Sequence, residues 1–255
     1  MLNYVVEDRQ SDKWLVFIHG IGGSIATWKR QLRCFPEYNL LAIDLPGHGQ
    51  SKFSKEKFNI DKINKEIKRI LNKLSIKTAD FVALSLGSLV AAHFAVAHPE
   101  YIHSLVMGGS VLDIRGIYKY LMMGIQMVKN IIPHKMLYNI FAHVVLPKKN
   151  HERSRKIFMK ESLKMTKQSF VSWVSYLNFA INPTKLLAQL KALNINMFFI
   201  SGDEDNCFLK GTKKTCEYLK KAKLYVIQRC GHVCSIEKAS EFNTQVSNYL
   251  ASLPA

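Results

Sequence analysis

Long apolar runs are missing from this sequence. No stretch reaches the roughly 18 residues that a membrane-spanning helix requires, which excludes a helical span. The opening stretch MLNYVVEDRQSDKW carries acids and no basic-then-apolar pattern, so an export signal is not expected. Cysteine is sparse: five residues, an odd number at irregular spacing. That argues against a disulfide framework and for a reducing compartment, and a cytoplasmic location is the expectation. Acids are scarce too, 19 against 36 Lys and Arg, for a net charge of +17. Such a balance raises nucleic acid or an acidic membrane surface as partner. The chain lacks zinc-finger spacing, an aromatic-basic RNA motif and any repeat, so nucleic acid is not expected. The glycine-rich GIGGS lacks both the dinucleotide spacing and the Lys-Ser/Thr of a phosphate loop, which argues against a nucleotide.

What is present is a chain of 255 residues, 48% hydrophobic, enough for one large domain or two small ones with a substantial core. Toward both ends, short apolar runs alternate with helical patterns. KWLVFIHG (13–20) and YNLLAIDLPGHG (38–49) are buried strands that run into loops. IDKINKEIKRILNKLSI sets Ile60, Ile63, Ile67, Ile70, Leu71 and Leu74 at helical spacing. Strands are expected at 80–84, 102–107, 195–200 and 223–227, and helices at 86–97, 212–221 and 236–250. This alternation predicts a mostly parallel sheet covered by helices on both faces.

The middle differs. From Ile114 to Ile181 there is helical patterning and no convincing strand; Tyr118, Leu121, Met122, Ile125 and Val128 form one apolar stripe. Prolines 133, 147 and 183 divide the region into about four short helices. Between Asp113 and Asn182, twelve Lys and Arg face three Asp and Glu, so more than half of the net charge sits here. A solvated basic face is the simplest reading. The functional alternative is attraction of an anionic substrate or weak contact with an anionic membrane surface. Seven of the nine methionines lie between Met107 and Met165, where they fill irregular packing or line an adaptable apolar pocket.

Sheets of this type hold ligands at the carboxyl ends of their strands. His19-Gly20, Ser85, Asp203, Asp205 and His232 all fall just beyond strands. A serine hydroxyl needs a histidine base within hydrogen-bond reach and a carboxylate to fix the imidazole tautomer. It also needs amide donors where the oxyanion forms. In FVALSLGSLVAAHFA (81–95) a strand turns abruptly into a helix at Ser85, and the Leu86 amide at the helix start supplies one donor. Small neighbours, Ala83 and Gly87, suit so close a crossing.

At these residues the chain resembles the α/β-hydrolase family over nearly its full length. ALSLGS looks like the nucleophile elbow with its first Gly replaced by Ala. HGIGGS looks like the oxyanion loop, which would make the Ile21 amide the second donor, with His19 and Gly20 supporting the loop. DLPGHGQS (44–51) matches the turn after the next strand, with His48 stabilising it. SGDEDNCF resembles the acid loop and CGHVCSIEKASEFN the histidine loop. The family pattern, Gly followed by two residues and then Asp, selects Asp205; Asp203 is the other aspartate in that loop. Two departures stand out: Asn206-Cys207-Phe208 follow the acid where a proline is common, and Asn196 stands where a proline often enters the preceding strand. The resemblance implies an α/β-hydrolase core of 1–112 and 183–255 and an inserted helical lid of 113–182.

It implies further a Ser85–His232–Asp205 triad that needs no cofactor and no metal. Cys230 and Cys234 bracket His232, but zinc there would need further ligands and disable the base, so small buried thiols are expected. The substrate expected is a small-molecule acyl compound, small to medium and apolar, most simply a carboxylic ester. Carbon–carbon bond hydrolysis or lactone opening with the same triad is the alternative chemistry. A ligand-binding sensor with little turnover is the alternative class.

Overall fold

The computed structural model describes residues 1–53 and 58–254. Its strands are β1 (Tyr4–Glu7), β2 (Trp14–Ile18), β3 (Asn39–Ile43), β4 (Ala79–Leu84), β5 (Ile102–Gly108), β6 (Asn196–Gly202) and β7 (Ala222–Ile227). They form one sheet in the order β1-β3-β2-β4-β5-β6-β7. β1 runs antiparallel to β3, and every other pairing is parallel. The central strands read as unbroken apolar runs because both faces are covered; β3 and β4 are buried throughout.

The helices of the two ends are α1 (Ile60–Lys73) and α2 (Leu86–Ala97). Five more, α3 (Ile117–Val128), α4 (His134–Val145), α5 (Glu152–Ser162), α6 (Lys167–Tyr176) and α7 (Asn178–Ile181), lie between β5 and β6. The chain then returns to α8 (Thr184–Leu193), α9 (Leu209–Tyr218), α10 (Cys234–Glu237) and α11 (Ala239–Ala251). α1, α2, α8 and α9 pack side by side along one face of the sheet. Residues 25–34 and α11 cover the other, joined where the Gln31 amide donates to Ser235 O (3.1 Å) and Asn243 Oδ1 (2.9 Å). Phe17, Phe81, Phe94, Phe199 and Phe242 are fully buried in the resulting core.

From β2 the chain crosses to β3 on one side, and from β4 to β5 on the other. The crevice outside the carboxyl ends of β2 and β4 is thus the switch point of the sheet, the place where such folds bind ligands.

Several details depart from the sequence reading. β1 was not anticipated: four half-buried residues on an edge give no apolar run. The helix expected over 236–250 is broken at Lys238 into α10 and α11. α9 begins one turn earlier than expected, at Leu209. Of the stripe expected on α3, only Met122 and Ile125 are buried, while Leu121 is exposed. The helical segment closes on itself and onto the sheet. The Ile114 N–H donates to Ala180 O (2.9 Å), the Trp173 indole N–H to Pro46 O (2.9 Å) and the Tyr138 hydroxyl to Ile21 O (3.0 Å). Among the described residues no helix is long and apolar enough to cross a membrane.

Candidate active site

Ser85 stands between β4 and α2 with φ 52° and ψ −121°. A non-glycine residue at positive φ stores about 1–3 kcal/mol, which surrounding contacts must hold. Those contacts are present: the Ser85 N–H donates to Gly108 O (2.9 Å), and Ser85 O accepts from both the N–H (2.8 Å) and the hydroxyl (2.6 Å) of Ser88. The turn passes so close to β2 that a Cβ on Gly87 would lie 2.3 Å from Ile18 O and 2.8 Å from His19 O. That is why a glycine stands two residues after the serine.

The loops after β6 and β7 bring two distant side chains to this hydroxyl. His232 Nε2 lies 2.8 Å from Ser85 Oγ, and His232 Nδ1 lies 2.8 Å from Asp205 Oδ2. All three are buried, His232 and Asp205 completely. The carboxylate takes the Nδ1–H, leaving Nε2 as acceptor for the serine hydroxyl. Asp205 Oδ1 also accepts the Phe208 N–H (3.3 Å), and the Phe208 ring lies 4.6 Å from the imidazole. Asp203 is elsewhere: its Oδ1 accepts the Cys230 N–H (3.1 Å), bracing the acid loop against the histidine loop.

The Leu86 amide opens α2 beside Ser85, and the Ile21 amide lies in the glycine-rich loop that lines the same cavity. Among the described residues neither amide has an acceptor within the fold. The loop is set by two buried imidazoles. His19 Nε2 accepts the Leu45 N–H (3.0 Å) while its Nδ1 donates to Gly20 O (2.8 Å). His48 Nε2 accepts the Gly22 N–H (2.9 Å) while its Nδ1 donates to Pro46 O (3.2 Å). Burial pushes both histidines below their ordinary pKa, His48 well below, so each stays neutral with a fixed tautomer. His48 therefore does more than stabilise its own turn; it ties that turn to the Ile21 loop.

α5 lies over the cavity. Phe158 and Glu161 line it together with Gly20, Ile21, Val233 and Ile236, and its volume is about 20 Å³, room for roughly one water. Glu161 holds the far end of α5 by accepting the Ser24 hydroxyl (3.0 Å), with Lys164 on its outer side. The near end is held by a cluster that the sequence did not reveal. His151 is fully buried; its Nε2 donates to Glu204 Oε2 (2.7 Å), and Glu237 Oε2 lies 3.7 Å away. Hydrogen bonds from Asn150 and Lys148 hold the Glu204 carboxyl down at about 2. Burial raises the Glu237 carboxyl, whose Oε2 accepts the Gly231 N–H (3.0 Å). Glu204 precedes Asp205 and Gly231 precedes His232, so one histidine of the helical segment braces both the loop that carries Asp205 and the loop that carries His232. No spacing in the sequence marks His151; Glu204 had only its adjacency to Asp205 to recommend it.

All five cysteines are free thiols. Burial pushes Cys230 and Cys234 far above the ordinary thiol range, which keeps them protonated beside His232. Among the described residues no group of three or more His, Cys, Asp or Glu side chains is placed to hold a metal ion.

A family model described as the alpha/beta hydrolase fold matches residues 13–239. The chain belongs to that family. This alpha/beta hydrolase is 28% identical over 258 residues to the 2-hydroxymuconate semialdehyde hydrolase of Pseudomonas sp. (strain CF600), covering 94% of this chain and 88% of the relative. It is 25% identical to a 2-hydroxy-6-oxononadienedioate/2-hydroxy-6-oxononatrienedioate hydrolase of Pseudomonas sp., covering 97% and 91%. Among solved structures, MenH from S. aureus superposes with a TM-score of 0.83 at 22% identity, covering 98% of each chain. The enol-lactonase from Burkholderia xenovorans LB400 gives 0.83 at 18% identity, covering 98% and 96%. These two structures share the fold with this chain.

Proposed function

We propose that this alpha/beta hydrolase is a serine hydrolase that cleaves a carboxylic ester with a small to medium apolar acyl group. One observation carries the reading: the 2.8 Å contacts from Ser85 to His232 and from His232 to Asp205, in a buried site beside two amides that have no acceptor among the described residues. Ser85 Oγ attacks the ester carbonyl while His232 Nε2 takes its proton, and Asp205 stabilises the imidazolium that forms. The Ile21 and Leu86 amides donate to the developing oxyanion. His232 then protonates the departing alcohol, and the acyl group stays on Ser85. Water deprotonated by His232 attacks that ester, and the acid leaves with Ser85 restored. No cofactor or metal enters any step. Residues 113–182 act as a lid on a core of 1–112 and 183–255, with Phe158 as apolar wall for the acyl group; substrate enters when α5 moves aside.

Carbon–carbon bond hydrolysis with the same residues is the second reading. It is favoured by two curated relatives that align over nearly the whole chain and are named 2-hydroxymuconate semialdehyde hydrolase and 2-hydroxy-6-oxononadienedioate/2-hydroxy-6-oxononatrienedioate hydrolase. A fluorophosphonate probe should add one adduct to the wild type and none to Ser85→Ala; failure to label the wild type would overturn the hydrolase reading in favour of a binding protein. A chain-length series of nitrophenyl esters follows. Turnover of short chains supports the esterase, whereas labelling without ester turnover moves the assignment to carbon–carbon or lactone chemistry.

A further inference from the structure

α3, the turn after it and α4 leave many of their large apolar side chains exposed. Inward, α3 presents only Met122 and Ile125, and α4 presents Leu137, Tyr138, Phe141, Ala142 and Val145. Outward, Ile117 is 74% exposed, Tyr120 72% and Met127 80%, and Ile131 in the connecting turn is 81% exposed. Leu121 and Met123 on α3 and Met136 and Ile140 on α4 are exposed as well. Among the described residues, eight of the fourteen exposed large apolar side chains thus fall within residues 117–140. Single exposed apolar residues are ordinary, but a concentration of this kind marks an interaction surface.

The charge around it says what covers it. Residues 114–151 contain six Lys and Arg and no Asp or Glu. Arg115 and Lys148 are committed to Asp113 and Glu204. Lys119, Lys135 and Lys149 have no ion-pair partner among the described residues, and Lys167 reaches the turn between α3 and α4 at Asn130 O (2.9 Å). A second copy of this chain would set these cations against their own kind. An anionic lipid surface accepts both features, with the apolar side chains entering the acyl boundary and the lysines meeting the headgroups.

We infer that the exposed apolar side chains of α3, the turn after it and α4 form a peripheral docking surface for an anionic phospholipid bilayer. The surface belongs to the same helical segment as α5, so docking would bring the cover of the Ser85 cavity to the lipid boundary. The inference does not rest on the hydrolase reading, because it concerns binding alone.

The test is co-sedimentation of the full chain with phosphatidylcholine vesicles, with and without phosphatidylserine. Binding to the phosphatidylserine vesicles that weakens as sodium chloride is raised is expected. Met127→Ser with Ile131→Ser should weaken it by at least tenfold while leaving the melting temperature and fluorophosphonate labelling of Ser85 unchanged. Equal binding to both vesicle types, or an unaltered double variant, would overturn the inference. So would a concentration-dependent dimer in sedimentation velocity that the double variant abolishes, which would assign the face to self-association.

Discussion

Replacing His151 with Ala tests whether the helical segment holds the triad geometry together. The imidazole is fully buried and its Nε2 sits 2.7 Å from Glu204 Oε2, with Glu237 Oε2 at 3.7 Å. A hydrogen bond to a charged group contributes about 1.5–3 kcal/mol. Truncation also opens a cavity and leaves the buried Glu237 without its neighbour, so the total loss is about 3 kcal/mol. At about 2–4 °C per kcal/mol for a chain of this size, the melting temperature should fall by about 6–12 °C. Loosening of both triad loops should slow fluorophosphonate labelling of the folded protein by about tenfold or more. Glu204→Gln isolates the pair, and the double variant should show a coupling of about 1.5 kcal/mol or more. Circular-dichroism melts and labelling time courses read both effects. A drop under about 2 °C with additive single variants would refute the reasoning, because a coupled buried pair is non-additive.

Asp205→Asn should lower kcat by about 10³–10⁴-fold through the wrong imidazole tautomer, whereas Asp203→Asn keeps its acceptor for the Cys230 amide and should cost less than about tenfold; steady-state ester kinetics distinguish them. Gly87→Ala drives a methyl to 2.3 Å from Ile18 O. It should destabilise the fold by about 3 kcal/mol, read from the urea midpoint. Burial lowers the folded-state pKa of His19, His48 and His93, the last to about 4 from 6.5. The unfolded chain therefore takes up protons first, and stability present at pH 7 is lost as pH falls through 6.5 toward 4. Urea midpoints across that range should decline, and His93→Leu should flatten the decline.

The sheet was legible because parallel strands buried on both faces leave unbroken apolar runs, and LVFI, LLAI and FVAL are such runs. Ser85, His232 and the pair Asp203 and Asp205 could be nominated because each stands at a strand end, and the resemblance to the family pattern selected Asp205 from the pair. Asp203 and Asp205 share a loop, and only the loop's path sends one to His232 and the other to the Cys230 amide. The helical segment was poorly legible. Its stripe on α3 predicted burial, but periodicity records which residues share a face, not whether anything packs against it. His151 left no trace because its partners lie 53 and 86 residues away, at Glu204 and Glu237. The edge strand β1 was missed for a related reason: it is short, half-exposed and held by pairing with β3 rather than by its own pattern.

The space above Ser85, about 20 Å³, has a practical consequence for anyone measuring affinities. On the proposed reading, an ester is larger than this space, and α5 must move aside before it can bind. If the fraction with α5 aside is about one in a hundred, every apparent dissociation constant is about a hundredfold weaker than the intrinsic one. Substitutions that loosen the Glu161–Ser24 contact would then tighten apparent binding without touching the ligand. On the proposed reading, ranking compounds against such a shape would measure the displacement of α5 before it measures the fit.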